Sequence, residues 1–319
     1  MSKKRSRLRR WLVVALILMA VIALIMWLLR ACAPKPPEPT PPEKPTRPEA
    51  QSADCPDVEV VVIPGTWESA ADDDPFNPHS NPKSLMLRVS KALGQKYSAN
   101  RARIYTIPYI AQFRNPTNLT DHQADYNDSR RQGFNRTAGH ITALNKRCPI
   151  TSFVVLGFSQ GAVIGGDVAS LIGNGRGVLK ADDQDLVIGV GLIADGRRVE
   201  DQQNNIGPNP PGVGAEVALG GILANRVPGI TMNGQREGGF GTLRDRVQGI
   251  CAPGDLICDS PTISNPLRAI GQLAGAINNP VHAMYATPKY WQDNGVTATQ
   301  WMYAWAVRTI NDAPHPKHF

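Results

Sequence analysis

At 319 residues, with 42% hydrophobic and 19% charged side chains, the chain can bury a sizeable core. That excludes global disorder and allows one large domain with appendages or two small domains. The formal net charge of +7 is confined to residues 1–50, which hold ten Lys/Arg against three Asp/Glu; residues 51–319 hold 24 of each sign, so the folded part lacks the basic face that nucleic-acid binding requires, and nucleic acid is excluded as a partner.

The chain opens with Lys3, Lys4, Arg5, Arg7, Arg9 and Arg10, followed by the uncharged run Trp11–Leu29. Nineteen residues make a helix of about 28 Å, close to a hydrocarbon core of about 30 Å. A cleavable signal peptide has an apolar region of only about 7–15 residues. Residues 1–10 are therefore expected in the cytoplasm and 11–29 as a transmembrane signal-anchor, with everything after Arg30 in the cell envelope. The competing reading is a lipoprotein signal ending at Cys32, against which Arg30 stands two residues earlier. Residues 30–53 form a tether. Eight prolines fall within 33–50, and at about 3.1 Å per residue an extended polyproline segment reaches up to roughly 55 Å.

Five cysteines, one of them at the membrane end, suggest two disulfides and a lone Cys32. Disulfides fit an oxidising compartment. Cys251 and Cys258 flank a short loop and are paired on that ground, leaving Cys55 with Cys148. The chain-entropy model assigns about 2.5 kcal/mol to the short ring and about 4.7 to the long one.

From Asp54 onward, strand and helix patterns alternate. Apolar, β-branched runs at Val58–Ile63, Arg103–Pro108, Ser152–Gly157 and Leu186–Ile193, and a weaker one at Arg246–Cys251, suit strands covered on both faces. Helical spacing appears over Pro82–Leu93, Ser129–Lys146, Gln160–Ile172 and Thr299–Ile310, where Trp301 and Trp305 sit one turn apart as packing residues. The expected fold is a three-layer α/β domain over 54–312 with a mostly parallel five-stranded sheet, followed by a fraying tail over 313–319. The stretch Gly196–Gly241 breaks the rhythm: it is rich in glycine and proline and weakly periodic. Its one apolar cluster, Val213, Val217, Leu219, Ile222 and Leu223, is expected as a partial lid over the site.

The strand at Ser152–Gly157 runs into Gly157-Phe158-Ser159-Gln160-Gly161, a G-x-S-x-G pattern opening a helix. A nucleophilic serine needs a sharp strand-to-helix turn that lifts its hydroxyl clear, and side chains in place of the flanking glycines would clash there. It also needs a base, and the base an orienting carboxylate, in the chain order Ser, acid, His. Of the histidines after Ser159, His315 and His318 lie in the terminal tail, which leaves His282. Asp255, just after the fifth strand and inside the Cys251–Cys258 ring, is the preferred acid; Asp195 and Asp245 are rivals. Oxyanion donors are expected from Thr66, in the loop Pro64–Glu68 after the first strand, and from the backbone of Gln160. Trp67 and Phe158, next in sequence to Thr66 and Ser159, are the expected substrate contacts.

Together, GFSQGA at 157–162, Cys148-Pro149-Ile150-Thr151, the segment Cys251–Cys258 and His282-Ala283-Met284-Tyr285 resemble the cutinase family. The resemblance covers about residues 54–312. It is closest to the membrane-anchored cutinase-like lipid esterases of mycolic-acid-containing actinobacteria, which have phospholipase A and thioesterase activity. It implies an α/β-hydrolase fold, Ser159 as nucleophile, Asp255 as acid, His282 as base, Thr66 and Gln160 as oxyanion donors, and the disulfides Cys55–Cys148 and Cys251–Cys258. Phe158 departs from the family's usual tyrosine, and 196–241 and 259–279 are longer than in small secreted members. The expected activity is hydrolysis of lipid-like esters through an acyl-enzyme, with no cofactor and no metal. An acyltransferase using the same intermediate and a non-catalytic lipid-binding envelope protein are the alternatives. The expected partners are an acyl-ester substrate and the cytoplasmic membrane, with the chain acting as a monomer.

Overall fold

The structure, a computed structural model, describes residues 17–28, 47–115, 118, 120–223, 227–261, 271, 275 and 279–319. The chain forms two units, Met1–Lys44 and Pro45–Phe319. In the first, residues 17–28 are helical and exposed. Among the described residues no helix is long and apolar enough to cross a membrane, and the expected transmembrane helix over 11–29 falls within them only in part, at 17–28. The rest of that run, the basic segment 1–10, Cys32 and the tether up to residue 46 lie outside the described residues.

The second unit is built on a sheet. Its strands are β2 (Val58–Ile63), β3 (Ala102–Thr106), β4 (Ser152–Phe158), β5 (Val187–Ile193), β6 (Asn204–Ile206) and β7 (Val247–Ile250), after a short β1 (Ala50–Gln51). They lie in the order β3-β2-β4-β5-β7-β6, every neighbouring pair parallel. The five expected strands all form. The sheet nevertheless has six strands, because β6 adds itself beyond β7. Its sequence, Asn204-Asn205-Ile206, carries no apolar run; an edge strand of three half-buried residues needs only the backbone pairing to β7.

Side chains of β2 alternate between two cores. Val61 and Ile63 pack toward α2 (Tyr126–Arg147) and α3 (Gln160–Gly173), through Ile141, Leu144, Ile164 and Val168. Val58, Val60 and Val62 pack toward α1 (Leu85–Lys96) and α5 (Ala298–Asp312), through Met86, Leu93, Met302 and Ile310. This is the three-layer arrangement that unbroken apolar strands require. Polar residues set the helix starts: the side chains of Ser84, Asp125 and Thr297 accept from Leu87, Asp128 and Gln300 N–H, and Thr297 with Gln300 forms a full capping box. Trp301 and Trp305 stack with centroids 6.1 Å apart, as packing residues.

Disulfides join Cys55 to Cys148 and Cys251 to Cys258. The C-terminal segment is ordered by pairing: β8 (Lys317–His318) lies parallel to β1, Phe319 N–H donates to Gln51 C=O at 3.0 Å, and His318 Nε2 contacts Asp57 Oδ1 at 2.8 Å.

The glycine-rich stretch is not the loosely packed loop its composition suggests. It contains β6 and α4 (Ala215–Leu223) and buries Arg198, Glu216 and Arg236. Arg236 donates to both oxygens of Asp195, at 2.6 and 3.0 Å, and to Asp167 at 2.9 Å. Charges buried this deeply are tolerable only when paired, so the pairing fixes the stretch against α3. Arg236→Met leaves the buried Asp195 carboxylate without its cationic partner, while Asp167 keeps Arg197 at 2.8 Å, and should cost about 3–5 kcal/mol in urea unfolding. A loss below about 1 kcal/mol would show that the pairing does not hold the stretch.

Candidate active site

β4 hands over to α3 at Ser159, whose backbone stands at φ 54°, ψ −121°. A residue with a side chain pays strain in this region, and such outliers gather at functional sites. The turn is also crowded. A Cβ on Gly157 would come within 2.4 Å of Gly161 C=O, and one on Gly161 within 2.1 Å of Ile63 C=O, at the end of β2. Glycine is thus required by backbone contact at both flanking positions.

His282 Nε2 lies 2.7 Å from Ser159 Oγ. Its Nδ1 lies 2.9 and 3.1 Å from the two oxygens of Asp255. The carboxylate accepts from Nδ1–H, which leaves Nε2 free to accept the serine proton. His282 sits in a 3-10 turn over Pro280–Ala283, capped by Asn279, whose side-chain oxygen accepts from Val281 N–H at 2.9 Å. Asn279 Nδ2 also donates to Gly254 C=O at 2.7 Å, tying this turn to the disulfide ring that carries Asp255. The rival acids are engaged elsewhere: Asp195 pairs with buried Arg236, and Asp245 pairs with Arg244 in solvent. The other C-terminal histidines, His315 and His318, both face Asp57.

Asp255 is fully buried. Burial pushes its carboxyl up, but the charge of His282 and hydrogen bonds from His282, Tyr285 and the Ile257 N–H outweigh it and hold the carboxyl below its ordinary value. Tyr285 was not singled out from the sequence for this role. Its hydroxyl donates to Asp255 Oδ2 at 2.7 Å and accepts from Ala252 N–H at 3.0 Å. The only sequence signal was its place in the His282–Tyr285 motif. Phe158 packs parallel to the His282 ring, with centroids 4.9 Å apart.

Gln160 is the first residue of α3, so its N–H has no partner inside the helix. Its side-chain oxygen accepts from Ser129 Oγ at 2.8 Å, anchoring this helix start to α2. Thr66 and Gln160 line the same cleft as Ser159 and His282, as do Trp67 and Phe158. Trp67 remains 50% exposed. The cleft measures about 340 Å³, and Phe113, Phe158, Val163, Ala215, Met232 and Ile257 give it an apolar wall.

The glycine-rich stretch contributes Gly196, Ala215, Glu216 and Met232 to the lining. The apolar cluster expected as a lid sits differently. Val213 is bridged through its backbone to Ser260, and Leu219 is buried among Tyr126, Ile230 and Met232. The side chains of Ile222 and Leu223 lie outside the described residues. Glu216 is held by Tyr126 OH at 2.6 Å and by Arg130 at 2.9 and 3.0 Å. The stretch is therefore a pinned wall of the cleft.

A serine hydroxyl hydrogen-bonded to a carboxylate-backed imidazole, beside a free helix N-terminus and an apolar cleft, can attack an acyl carbonyl and stabilise the resulting oxyanion. The family model described as Cutinase matches residues 54–287. A carboxylesterase of Corynebacterium glutamicum, described as a Culp6 homolog, is 46% identical over 264 residues, covering 81% of this chain and 82% of its own. The catalytic core domain of acetyl xylan esterase from Trichoderma reesei superposes with a TM-score of 0.51 at 18% identity, over 82% of this chain and 100% of that one, a likeness of fold.

Tyr285→Phe should fold and lower kcat/KM about tenfold, because a hydrogen bond to a charged group contributes about 1.5–3 kcal/mol. The lowered Asp255 carboxyl adds stability that is present above its ordinary value of about 3.9 and is lost as pH falls through the lowered native value. The variant should therefore be less stable than wild type at pH 7, with the difference narrowing in acid. A pH-independent difference would mean that Tyr285 does not act on Asp255.

Proposed function

The chain belongs to the cutinase family and is a serine carboxylester hydrolase, and on that premise we propose that it cleaves lipid-like acyl esters through an acyl-enzyme on Ser159. The observation that carries the proposal is the 2.7 Å contact between His282 Nε2 and Ser159 Oγ, with Asp255 behind the imidazole. His282 takes the hydroxyl proton as Oγ bonds to the carbonyl carbon. Asp255 holds the imidazole in the required tautomer and offsets the imidazolium charge. The backbone N–H groups of Gln160 and Thr66 receive the oxyanion. His282 then returns the proton to the departing alcohol or thiol. Water, deprotonated by the same imidazole, releases the carboxylic acid and restores the serine.

The apolar wall formed by Phe113, Val163, Met232 and Ile257 supports an acyl chain longer than acetyl, since each buried methylene contributes about 0.8 kcal/mol. Such a cleft suits phospholipase A and thioesterase substrates, which share a long acyl group and differ in the leaving group. Trp67 and Phe158 are the proposed substrate contacts.

We place the domain outside the cytoplasm, held at the membrane by residues 11–29. The two disulfides and the uncharged run after six basic residues support this.

Ser159→Ala should keep the fold and lower kcat for a p-nitrophenyl ester by about 10⁴–10⁶. A fluorophosphonate probe should label wild type and not the variant. Retention of activity within tenfold would overturn the assignment. The full-length chain should stay in the membrane fraction through high-salt washing, and a mature N-terminus at or beyond Cys32 would refute the anchor.

A further inference from the structure

Glu68 lines the cleft beside Thr66, and the reaction described above makes no use of its carboxyl. One oxygen, Oε2, accepts from Gly65 N–H at 3.0 Å, while Glu68 N–H donates back to Gly65 C=O at 3.0 Å. These two bonds close the turn Gly65–Glu68 on itself. The other oxygen, Oε1, accepts from the N–H of Leu85, the first residue of α1. A single carboxylate therefore joins the turn to a helix N-terminus, where a negative charge is favoured. The loop is pinned elsewhere too: Tyr109 OH donates to Pro64 C=O at 2.7 Å, and Trp67, at φ 62°, donates its N–H to Ala111 C=O. Of the four N–H groups from Gly65 to Glu68, three are thus used inside the protein. Thr66 N–H alone has no partner among the described residues.

We propose that Glu68 is a positioning residue, whose two carboxylate oxygens hold the Gly65–Glu68 turn so that Thr66 N–H faces the oxyanion. The proposal rests on the donor role given to Thr66 above. The carboxylate is needed because both its oxygens accept. An amide offers one acceptor and would turn an NH2 toward either Gly65 N–H or Leu85 N–H. The carboxyl is almost enclosed, although the residue keeps some exposed surface. Burial raises it above its ordinary value, against the N–H groups of Gly65, Leu85 and Met86 and the Ser84 hydroxyl, which lower it. Enclosure and donors on both oxygens mark a group built into the loop.

The test compares wild type, Glu68→Gln and Glu68→Asp, each as the full chain with its melting temperature recorded. Kinetics use a p-nitrophenyl butyrate substrate, and an alkyl boronic acid serves as a tetrahedral mimic on Ser159. Displacing a donor by about 1 Å costs up to about 10² in rate. Glu68→Gln should lower kcat and weaken boronate binding together by about ten- to a hundredfold, with KM within threefold of wild type. A wall contact would instead raise KM and leave kcat unchanged, and that result overturns the proposal. A variant with wild-type kcat and boronate affinity overturns it as well, while labelling of Ser159 by the fluorophosphonate leaves the esterase reading standing. Wild type that binds no boronate and takes no label would sink that reading first. Should Glu68→Gln not fold, Glu68→Asp, which keeps the charge but withdraws it by one methylene, must show the same split between kcat and KM; wild-type kcat in that variant overturns the proposal.

Discussion

The backbone of Ser159, at φ 54° and ψ −121°, is the constraint on which the site depends. β4 must become α3 within one residue while α3 starts against the end of β2. The Gly161 position, whose Cβ would lie 2.1 Å from Ile63 C=O, shows how little room that leaves. With the turn so made, Gln160, the first residue of α3, and Ser159 line one cleft. The loop that follows β2 runs past the same point, because β2 and β4 are neighbours in register from Val58 opposite Ser152 to Ile63 opposite Gly157. Strand pairing thus sets Ser159 and the Thr66 loop side by side before any side chain is considered. A ligand site at the carboxyl ends of parallel strands follows from this geometry.

His282 and Asp255 come from segments with little regular structure, and short-range ties replace the rigidity that a strand would give. The disulfide closes a ring across a separation of 7 residues around Asp255. Inside it, Asp255 C=O accepts from both Cys258 and Asp259 N–H, at 3.0 and 2.7 Å. Asn279 fastens the His282 turn to this ring, and Tyr285 reaches back to the carboxylate from the other side. Asp255 and His282 are therefore tied to one another at both ends, which preserves a hydrogen-bond geometry that tolerates only a few tenths of an ångström.

Much of this was legible in the sequence because its signals are local. The five apolar strands, the serine turn and the ring cysteines each occupy a handful of consecutive residues. The sixth strand escaped because Asn204-Asn205-Ile206 carries no apolar pattern; its pairing is a backbone property of the neighbouring β7. The glycine-rich stretch misled for a related reason. Composition suggested looseness, but Arg236 meets Asp195 across 41 residues and Arg130 meets Glu216 across 86, distances over which no sequence pattern reports a contact. Of the residues named for a lid, Leu219 turned inward, where it packs with Tyr126, Ile230 and Met232. Glu68 and Tyr285 went unassigned because each acts through backbone or side-chain groups that only the fold brings near.

The pairing of β1 with β8 also has a mechanical side. Ala50 and Gln51 lie where the chain enters the folded unit, in parallel register with Lys317 and His318. A pull on the segment before Arg47 loads its ion pairs to Asp183 and Asp185 and then those hydrogen bonds. The next covalent anchor is Cys55, bonded to Cys148 at the end of α2. The disulfide therefore divides tension between β2, the strand that leads to Thr66, and the end of α2. Load arriving where the chain enters this unit is thus met in turn by ion pairs, a strand pairing and a covalent bond before it reaches β2.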